Sequence, residues 1–367
     1  TATPTFNSGN SLHYYVDNTH PAATDTGNPN GSLATPRLTL PAGPWAAGTY
    51  IEVHGGSYSL GAALTFTGNG TAASPVFLSG KGTPRPVLSH SGTLTLAGSF
   101  FVTEGIDTNE RVFWDAASNF VVLRNCEVRD AAQSAVRPNG TNGIVYNSTI
   151  HNIGNLVTPD DKHGVTCLAG ANGVWIVDND IYDCSGDGIQ FLHAAAEPGP
   201  RNIYIGRNTI HNNIENGVDF KTCSGVIVSQ NELYNHRIAA TSDGTSVLIG
   251  SNGLDDQAVN VWIIFNNIHD NDGGIRVESA ANGTGGGGPA YLIGNVIRDT
   301  ANAAIKLDKD GLPVYIVNNT VENADRFLEQ SFQQNLDIAA FDNIVVGMTG
   351  LDFSGHDVQV EAQTVAN

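Results

Sequence analysis

The sequence predicts an all-β fold, a single-domain parallel β-helix solenoid of about ten coils with capped ends. Three observations favour this fold class. The 367 residues include 42 glycines, one methionine and 17 basic residues, a composition typical of strands joined by tight turns. Short apolar segments are followed throughout by glycine or polar turn residues. From residue 119 onward, these segments also repeat one pattern.

The repeat consists of an apolar strand, an asparagine, one free position and then a β-branched or leucine residue. The spacings between its nine asparagines are 22, 32, 29, 23, 36, 28, 24 and 24 residues. The shortest spacing corresponds to one coil, and the longer ones to coils with loops inserted at a fixed corner. We expect the asparagines to share one corner, to tolerate a left-handed backbone there and to hydrogen-bond to one another as a ladder. They are Asn125, Asn147, Asn179, Asn208, Asn231, Asn267, Asn295, Asn319 and Asn343.

The chain is expected to divide into three segments. Residues 1–45 are rich in Asn, Thr, Pro and Gly, with one plausible strand at 12–16, and are expected to form an N-terminal cap or extended segment. Residues 46–350 are expected to form the β-helix, which begins with strands at 50–54, 75–79 and 101–103. Residues 351–367 lose the repeat and are expected to form a C-terminal cap or tail.

The inserted loops are expected to wall a cleft, because a rigid solenoid holds them while their lengths vary freely. They occur at residues 154–162, 194–200, 238–245, 251–258 and 283–288. A column of rings follows the asparagine corner, and we expect it to pack rather than to bind a ligand. Its members are His151, Tyr182, His211, Tyr234 and His269.

Charge and composition limit the classes of partner. The formal net charge of -19 argues against nucleic acid and against an anionic membrane, since both require a basic surface. No apolar window of about 18 residues is present, so no membrane span is expected. The four cysteines lack CxxC spacing, which argues against a structural zinc site, and Cys167 is expected to be a buried thiol.

The residues of one stretch, 214–222, carry a carboxylate and an amine on an otherwise apolar strand. Val218 and Phe220 alternate with Asp219 and Lys221, so both charges are expected to point outward to solvent. Neighbouring segments repeat this form. Stacked in register about 4.8 Å apart, they suit an extended polymer whose sugar rings each overlie about one coil. The outward column is predicted to contain Arg137, Thr166, Gln190, Asp219, Leu248, Arg276 and Lys306.

The coil pattern and the string Asn216-Gly-Val-Asp-Phe-Lys221 resemble the right-handed parallel β-helix proteins of the pectate lyase-like superfamily, over about residues 45–350. This resemblance implies a right-handed helix and a carbohydrate-active function. Among lyases of this fold, the alginate lyase and chondroitinase B type uses a lysine base near calcium-binding acids, with an arginine about one coil on. Lys221, Glu215 and Asp219 are similar to that arrangement, with Arg237 or Arg276 as the arginine, although the acids lie at different offsets from the lysine.

β-Elimination at a uronate unit needs a base for the C5 proton and a cation that neutralises the carboxylate. We predict that Lys221 is the base and that Arg276 or Arg137 binds the carboxylate. Asp187, Asp219 and Glu215 supply oxygens suited to Ca²⁺, the expected cofactor. The other predicted site residues are His163 and His193 at the border of the sheet, as general acids or bases, and the substrate-binding residues Gln190, Lys162 and Lys306.

The resulting expectation is a secreted, monomeric polysaccharide lyase that acts on an extended uronate-containing polymer. Residues 1–4 lack the features of a signal peptide and are typical of a mature or trimmed end, so secretion is inferred only indirectly. One alternative is a glycoside hydrolase with Asp187 and Asp219 as paired carboxylates one coil apart. Another is a non-catalytic carbohydrate-binding or adhesive β-helix of the tailspike kind, in which Asp219 and Lys221 form only a surface ion pair.

Overall fold

The computed structural model describes residues 2–62, 64–192, 199–240, 242–250, 258–278, 289–308, 313–330 and 338–350, together with the backbone of two short strands near the C-terminus. All regular elements in these residues are β-strands. The described residues contain no helix that is long and apolar enough to cross a membrane. The strands wind into a solenoid of about ten turns with three parallel sheets, which confirms the predicted fold class. We name them sheets A, B and C.

Sheet A carries the outward column predicted from the sequence. Its thirteen strands are joined edge to edge by parallel pairing, and three of the long strands cross a corner and contribute only one half to it. They are Trp45–Ala46, Leu64–Asn69, the start of Thr93–Glu104, Arg111–Trp114, Val136–Arg137, Val165–Cys167, Ile189–Phe191, Val218–Phe220, Thr245–Ile249, Gly273–Glu278, the ends of Val296–Asp308 and Thr320–Gln330, and Phe353–Ser354.

Sheet B follows sheet A in each coil. The predicted strand at 12–16 lies at 13–17 and pairs with the strand at 50–54, so part of the predicted N-terminal segment belongs to the solenoid. The strands are His13–Asp17, Tyr50–His54, Val76–Gly80, the end of Thr93–Glu104, Asn119–Arg124, Ile144–Tyr146, Trp175–Val177, Arg201–Gly206, Cys223–Ser229, Ala258–Ile264, Ala290–Ile293, Val314–Val317, Ile338–Phe341 and Val360–Glu361.

Sheet C completes the coil and leads back to sheet A. A separate antiparallel hairpin, Ile238–Ala239 with Ser242–Asp243, projects from the connection between these two sheets. The strands of sheet C are Ser57–Ser59, Val87–Ser89, Asp107–Thr108, Glu127–Arg129, Thr149–Ile153, Asp180–Cys184, Thr209–His211, Glu232–Tyr234, Asn267–His269, the starts of Val296–Asp308 and Thr320–Gln330, and Ile344–Val346.

The inserted loops occupy two corners rather than the single corner expected from the sequence. Residues 154–162 and 238–245 lie between sheets C and A, whereas 194–200, 251–258 and 283–288 fall between sheets A and B. Most residues of the last three insertions lie outside the described residues, as does most of 351–367. The corner between sheets B and C carries no insertion in these coils, because its asparagines hydrogen-bond from coil to coil. Both variable corners therefore border sheet A.

The asparagine ladder exists, but its register differs from the prediction by one residue at three positions. Seven buried asparagines hydrogen-bond to one another in sequence: Asn179, Asn208, Asn231, Asn266, Asn295, Asn319 and Asn343. Asn266 takes the place predicted for Asn267, and Ser148 takes that predicted for Asn147. Asn125 and Asn147 lie one position earlier and bond to each other at the exposed corner.

The left-handed backbone lies beside the ladder rather than on it. The residue before each ladder position has positive φ, for example 58° at Asp178 and 59° at Gln230. The expectation that the ladder asparagines themselves adopt this conformation is therefore wrong for the seven buried ones. Their role is to satisfy buried backbone groups, because each amide accepts from one coil and donates to another.

The interior is apolar from end to end. Inward-facing side chains stack between coils, as Phe191 does on Phe220 with ring centroids 4.7 Å apart. Cys167 lies in the same inward row, and all four cysteines are buried free thiols. The His/Tyr column on sheet C also stacks as predicted, with centroid separations between 4.7 and 5.0 Å.

Candidate active site

The predicted outward column is confirmed strand by strand. Thr166 pairs with Gln190, Gln190 with Asp219, and Asp219 with Leu248. The column continues through Arg276 and Lys306 to Glu329. Stacking in register explains this outcome, because a slip of one residue would expose the apolar face of every strand.

A cleft of about 590 Å³ opens on this column. Sheet A provides its floor, and the 238–243 hairpin forms one wall, as the sequence predicts for that insertion. The lining residues include Asp161, Gln190, Glu215, Asn216, Asp219, Lys221, Asp243, Arg276 and Glu278. The cleft is therefore strongly polar and contains both signs of charge.

Asp219 and Lys221 form a close ion pair on the cleft floor. The Lys221 Nζ atom lies 2.6 Å from Asp219 Oδ2. The side chain of Lys221 is 18% exposed, but that of Asp219 is only 4% exposed. The expectation that both face solvent is thus wrong for Asp219, which lies deep in the floor of the cleft. Lys221 is the member of the pair that can meet a substrate.

The surroundings of this pair favour a proton on both partners. Burial raises the pKa of Asp219 to about 7, and repulsion from Asp187 adds to this effect while Lys221 opposes it. Burial would lower the pKa of Lys221, but the Asp219 carboxylate outweighs it and raises that pKa. The second oxygen of Asp219, Oδ1, is buried without a hydrogen-bond partner. Asp219 is therefore a carboxylate that can take up a proton near neutral pH.

This raised pKa leads to a stability prediction. The folded protein keeps the Asp219 proton up to about pH 7, whereas the ordinary value is 3.8, so the unfolded chain binds fewer protons between these limits. The contribution of Asp219 to the free energy of unfolding should therefore fall as pH rises through this window, by about 1.4 kcal/mol per pH unit. Urea unfolding across the window should show a flatter profile for Asp219→Asn. Asp243→Asn, an exposed control, should keep the wild-type slope, and parallel wild-type and Asp219→Asn profiles would contradict the prediction.

Asp187 does not lie on the open sheet with Asp219, contrary to the prediction. Its side chain is fully buried, and its Oδ1 accepts hydrogen bonds from the backbone N and Nδ2 of Asn216, at 3.0 and 2.8 Å. Its Oδ2 accepts one from Gln190 Nε2 at 3.4 Å. Ser242 Oγ in turn donates to Asn216 Oδ1 at 2.9 Å. Asp187 therefore positions Asn216, and through it the hairpin wall.

His163 lies behind the cleft rather than at its open border. It is 5% exposed, and its Nδ1 accepts a hydrogen bond from the backbone N of Asp187 at 3.0 Å. Burial would lower its pKa, but the neighbouring Asp187 carboxylate raises it overall. Its Nε2 lies 3.5 Å from Asp161 Oδ1, and Asp161 separates it from the cleft. His193 lies outside the described residues.

The acids predicted to bind Ca²⁺ do not form a ligand set. In the described part of the chain, the one group of three or more metal-ligating residues whose ligand atoms all lie within 4.8 Å of one another is Asp161, His163 and Asp187, without Asp219 or Glu215. Both oxygens of Asp187 are already occupied by hydrogen bonds. Ca²⁺ prefers six to eight oxygen ligands, which these residues do not provide. We therefore derive no catalytic step through this ion.

The predicted cations differ in how they are paired. Arg276 contacts three carboxylates, those of Asp243, Glu278 and Asp308. Lys306 Nζ lies 3.4 Å from Asp308 and also near Asp243 and Glu329. Lys162 Nζ donates to the carbonyl of Asp160. Arg276 therefore lines the cleft, but it can bind a substrate carboxylate only by releasing one of its acids.

The sequence analysis did not assign a role to two acids of the cleft wall. Asp161 stands before His163, and Asp243 lies on the hairpin and bonds to the Arg276 guanidinium. Both belong to inserted loops, whose contacts a strand pattern does not predict. The Asp160-Asp161-Lys162 string was the available signal for the first, and nothing in the repeat pointed to the second.

Comparison with known proteins supports the fold. A family profile described as "Right handed beta helix region" matches residues 107–253. No curated protein sequence matches the chain. The A-module of mannuronan C-5 epimerase AlgE4 from Azotobacter vinelandii has a similar structure, with a TM-score of 0.59 and 16% identity, over 80% of this chain and 91% of that one.

Two further solved structures show the breadth of this likeness. Pectate lyase Pel9A has a TM-score of 0.52 at 14% identity, over 90% of this chain and 78% of its own. PfbA, a surface adhesin of Streptococcus pneumoniae, has a TM-score of 0.51 at 14% identity, over 84% and 86%. At such identities the likeness concerns the fold alone. The chain is a right-handed parallel β-helix, similar in fold to a mannuronan epimerase, a pectate lyase and a surface adhesin.

Proposed function

We propose that this protein is a secreted polysaccharide lyase that cleaves a uronate-containing polymer by β-elimination, with Lys221 as the base. The observation that carries this proposal is the Lys221 amine, partly exposed on the floor of a polar cleft and 2.6 Å from a carboxylate whose pKa is raised to about 7. The similarity in fold to a pectate lyase and an epimerase of mannuronan supports a uronate substrate.

The pair explains how a lysine can act as a base. In the form that starts the reaction, Lys221 is the ammonium ion and Asp219 the carboxylate, a form that is populated as pH rises through about 7. Transfer of one proton from Nζ to Asp219 Oδ2 gives a neutral amine without moving net charge into the protein. The raised pKa of Asp219 lowers the cost of that transfer, whereas the raised pKa of Lys221 increases it. Asp219 is thus a positioning and proton-accepting residue, and Lys221 is the group that meets the substrate.

The groups of the site account for every proton and electron pair that moves in the elimination. The Lys221 amine takes the C5 proton, and the C5–H electron pair becomes the C4=C5 double bond as the C4–O bond breaks. In a syn elimination, the new ammonium group protonates the leaving oxygen, which regenerates the amine. The developing charge on the uronate needs a cation, and Arg276 lines the same cleft. We infer that the substrate carboxylate replaces Asp243, an exposed acid, on this guanidinium.

The chemical structure of the reaction product distinguishes this proposal from its alternatives. Incubation with alginate, pectate, chondroitin and neutral glycans should give an unsaturated sugar, detected by its ultraviolet absorbance, from a uronate polymer. New reducing ends without that absorbance would instead indicate a hydrolase, and inversion at C5 without cleavage an epimerase. Bound oligosaccharide without turnover of any polymer would indicate a binding or adhesive β-helix.

The hydrolase that pairs Asp187 with Asp219 is the less favoured alternative. A hydrolase of that type needs both carboxyl groups to reach the scissile bond. Asp187 is fully buried, and its oxygens accept hydrogen bonds from Asn216 and Gln190. It cannot approach a sugar without the loss of these bonds.

A further inference from the structure

Two arginines of sheet A have no acidic partner. Arg111 and Arg137 both point outward, on neighbouring strands in which Phe113 pairs with Arg137. In the described residues, neither guanidinium forms an ion pair within 4.0 Å, and the Nε atoms of both are buried without a hydrogen-bond partner. Among the described residues, their one side-chain hydrogen bond runs from Arg111 Nη2 to Gln133 Oε1, at 2.9 Å.

This absence of ion pairs distinguishes the two arginines from other cations on the same face of sheet A. Acidic residues outnumber Lys and Arg by 36 to 17, and other cations of sheet A, among them Lys221, Arg276 and Lys306, each contact at least one carboxylate. Glu110 is the acid that acts on Arg111 electrostatically, and it also accepts hydrogen bonds from the backbone of Ala132 and Arg111. Two half-buried cations side by side repel each other, so their arrangement costs stability unless an anion joins them.

We propose that Arg111 and Arg137 form a subsite that binds a carboxylate of the polysaccharide, remote from the reacting unit. Arg137 lies in the same column as Asp219, three strand pairings away through Thr166 and Gln190. At about 4.8 Å per coil this is roughly 14 Å, or about three sugar units when each ring overlies one coil. Two guanidinium groups with free N–H donors suit an anionic sugar, which both can bind at once.

The subsite deepens the proposed function, on which it rests for the identity of the polymer, and it implies a requirement for chain length. An oligosaccharide bound at Lys221 reaches the arginines only when it extends about three further acidic units. Affinity should therefore rise by about tenfold at that length, beyond the gradual gain from added contacts.

The test measures binding of acidic oligosaccharides of increasing length to Lys221→Ala, which prevents turnover, by calorimetry. In that background, Arg137→Gln and Arg111→Gln should each abolish the rise while leaving the affinity for the shortest ligands unchanged. Arg129→Gln is the matched control, because Arg129 lies on sheet C and pairs with Glu127 and Asp130. Folding is checked by the melting temperature, which should not fall, since each substitution removes a repulsion.

The outcomes separate the subsite from the proposed function. A length-dependent rise that persists in both arginine variants, or an equal loss for short and long ligands, would overturn the subsite even if the wild type cleaves the polymer. Loss of the rise in a protein that never yields an unsaturated product would support the subsite and reject the lyase.

Discussion

Lys221→Ala is expected to lower kcat on the cleaved uronate polymer by about 10² to 10⁴, with little change in binding. The amine is the more exposed member of the pair on the cleft floor, 18% exposed against 4% for Asp219, and is therefore the group placed to take the proton from the substrate. Loss of the amine therefore removes the acceptor of the C5 proton but leaves most of the surfaces that hold the polymer. Initial rates at saturating substrate, with KM from the same series, provide the measurement.

Two further variants test whether the loss of activity is specific to the Lys221 amine. Lys221→Arg keeps a positive charge beside Asp219 but does not deprotonate, so it should fold normally and remain as slow as Lys221→Ala. Lys81→Ala, which removes a lysine outside the cleft, should keep wild-type rates. Retained activity in Lys221→Ala would show that Lys221 is not the catalytic base, and His163 and His193 would then be the candidates. Activity restored by arginine would show that Lys221 contributes charge rather than basicity.

Asn266→Ala is expected to reduce the free energy of unfolding by about 3 kcal/mol or more. The Asn266 amide is buried, and its Nδ2 donates to the Val228 carbonyl and to Asn295 Oδ1, each at 3.0 Å. Its Oδ1 accepts from the backbone N and the Nδ2 of Asn231, also at 3.0 Å. Alanine would leave these donors and acceptors buried without partners, which costs more than an exposed hydrogen bond.

The neighbouring residue provides the matched control. Asn267 is half-buried at the start of the Asn267–His269 strand, and its side chain has no hydrogen bond in the structure described. Asn267→Ala should change the free energy of unfolding by no more than about 0.5 kcal/mol. Urea unfolding of the two variants and the wild type tests the difference. Equal losses at both positions would show that the ladder is not the source of the stability.

The fold and the outward column could be predicted from the sequence, because both depend on local periodicity. Alternation along each strand determines which side chains face inward, and parallel stacking then aligns equivalent positions such as Gln190 and Asp219. The site residues Lys221, Arg276 and Gln190 were consequently placed on one sheet. The pattern did not distinguish Asn266 from Asn267, since only one of two adjacent asparagines can enter the interior of the corner.

Only the tertiary structure decided how these side chains are buried and paired. The strand pattern predicts that Asp219 is exposed, but its side chain is buried in the folded protein, and this burial together with the nearby Asp187 raises its pKa. The same pattern does not show that Asp187 accepts hydrogen bonds from Asn216 or that Arg276 contacts three acids. Nor does it show that Arg111 and Arg137 form no ion pair with the described residues. The physical reason is that the repeat specifies the strands, whereas burial and ion pairing on sheet A depend on loops that vary in length from coil to coil.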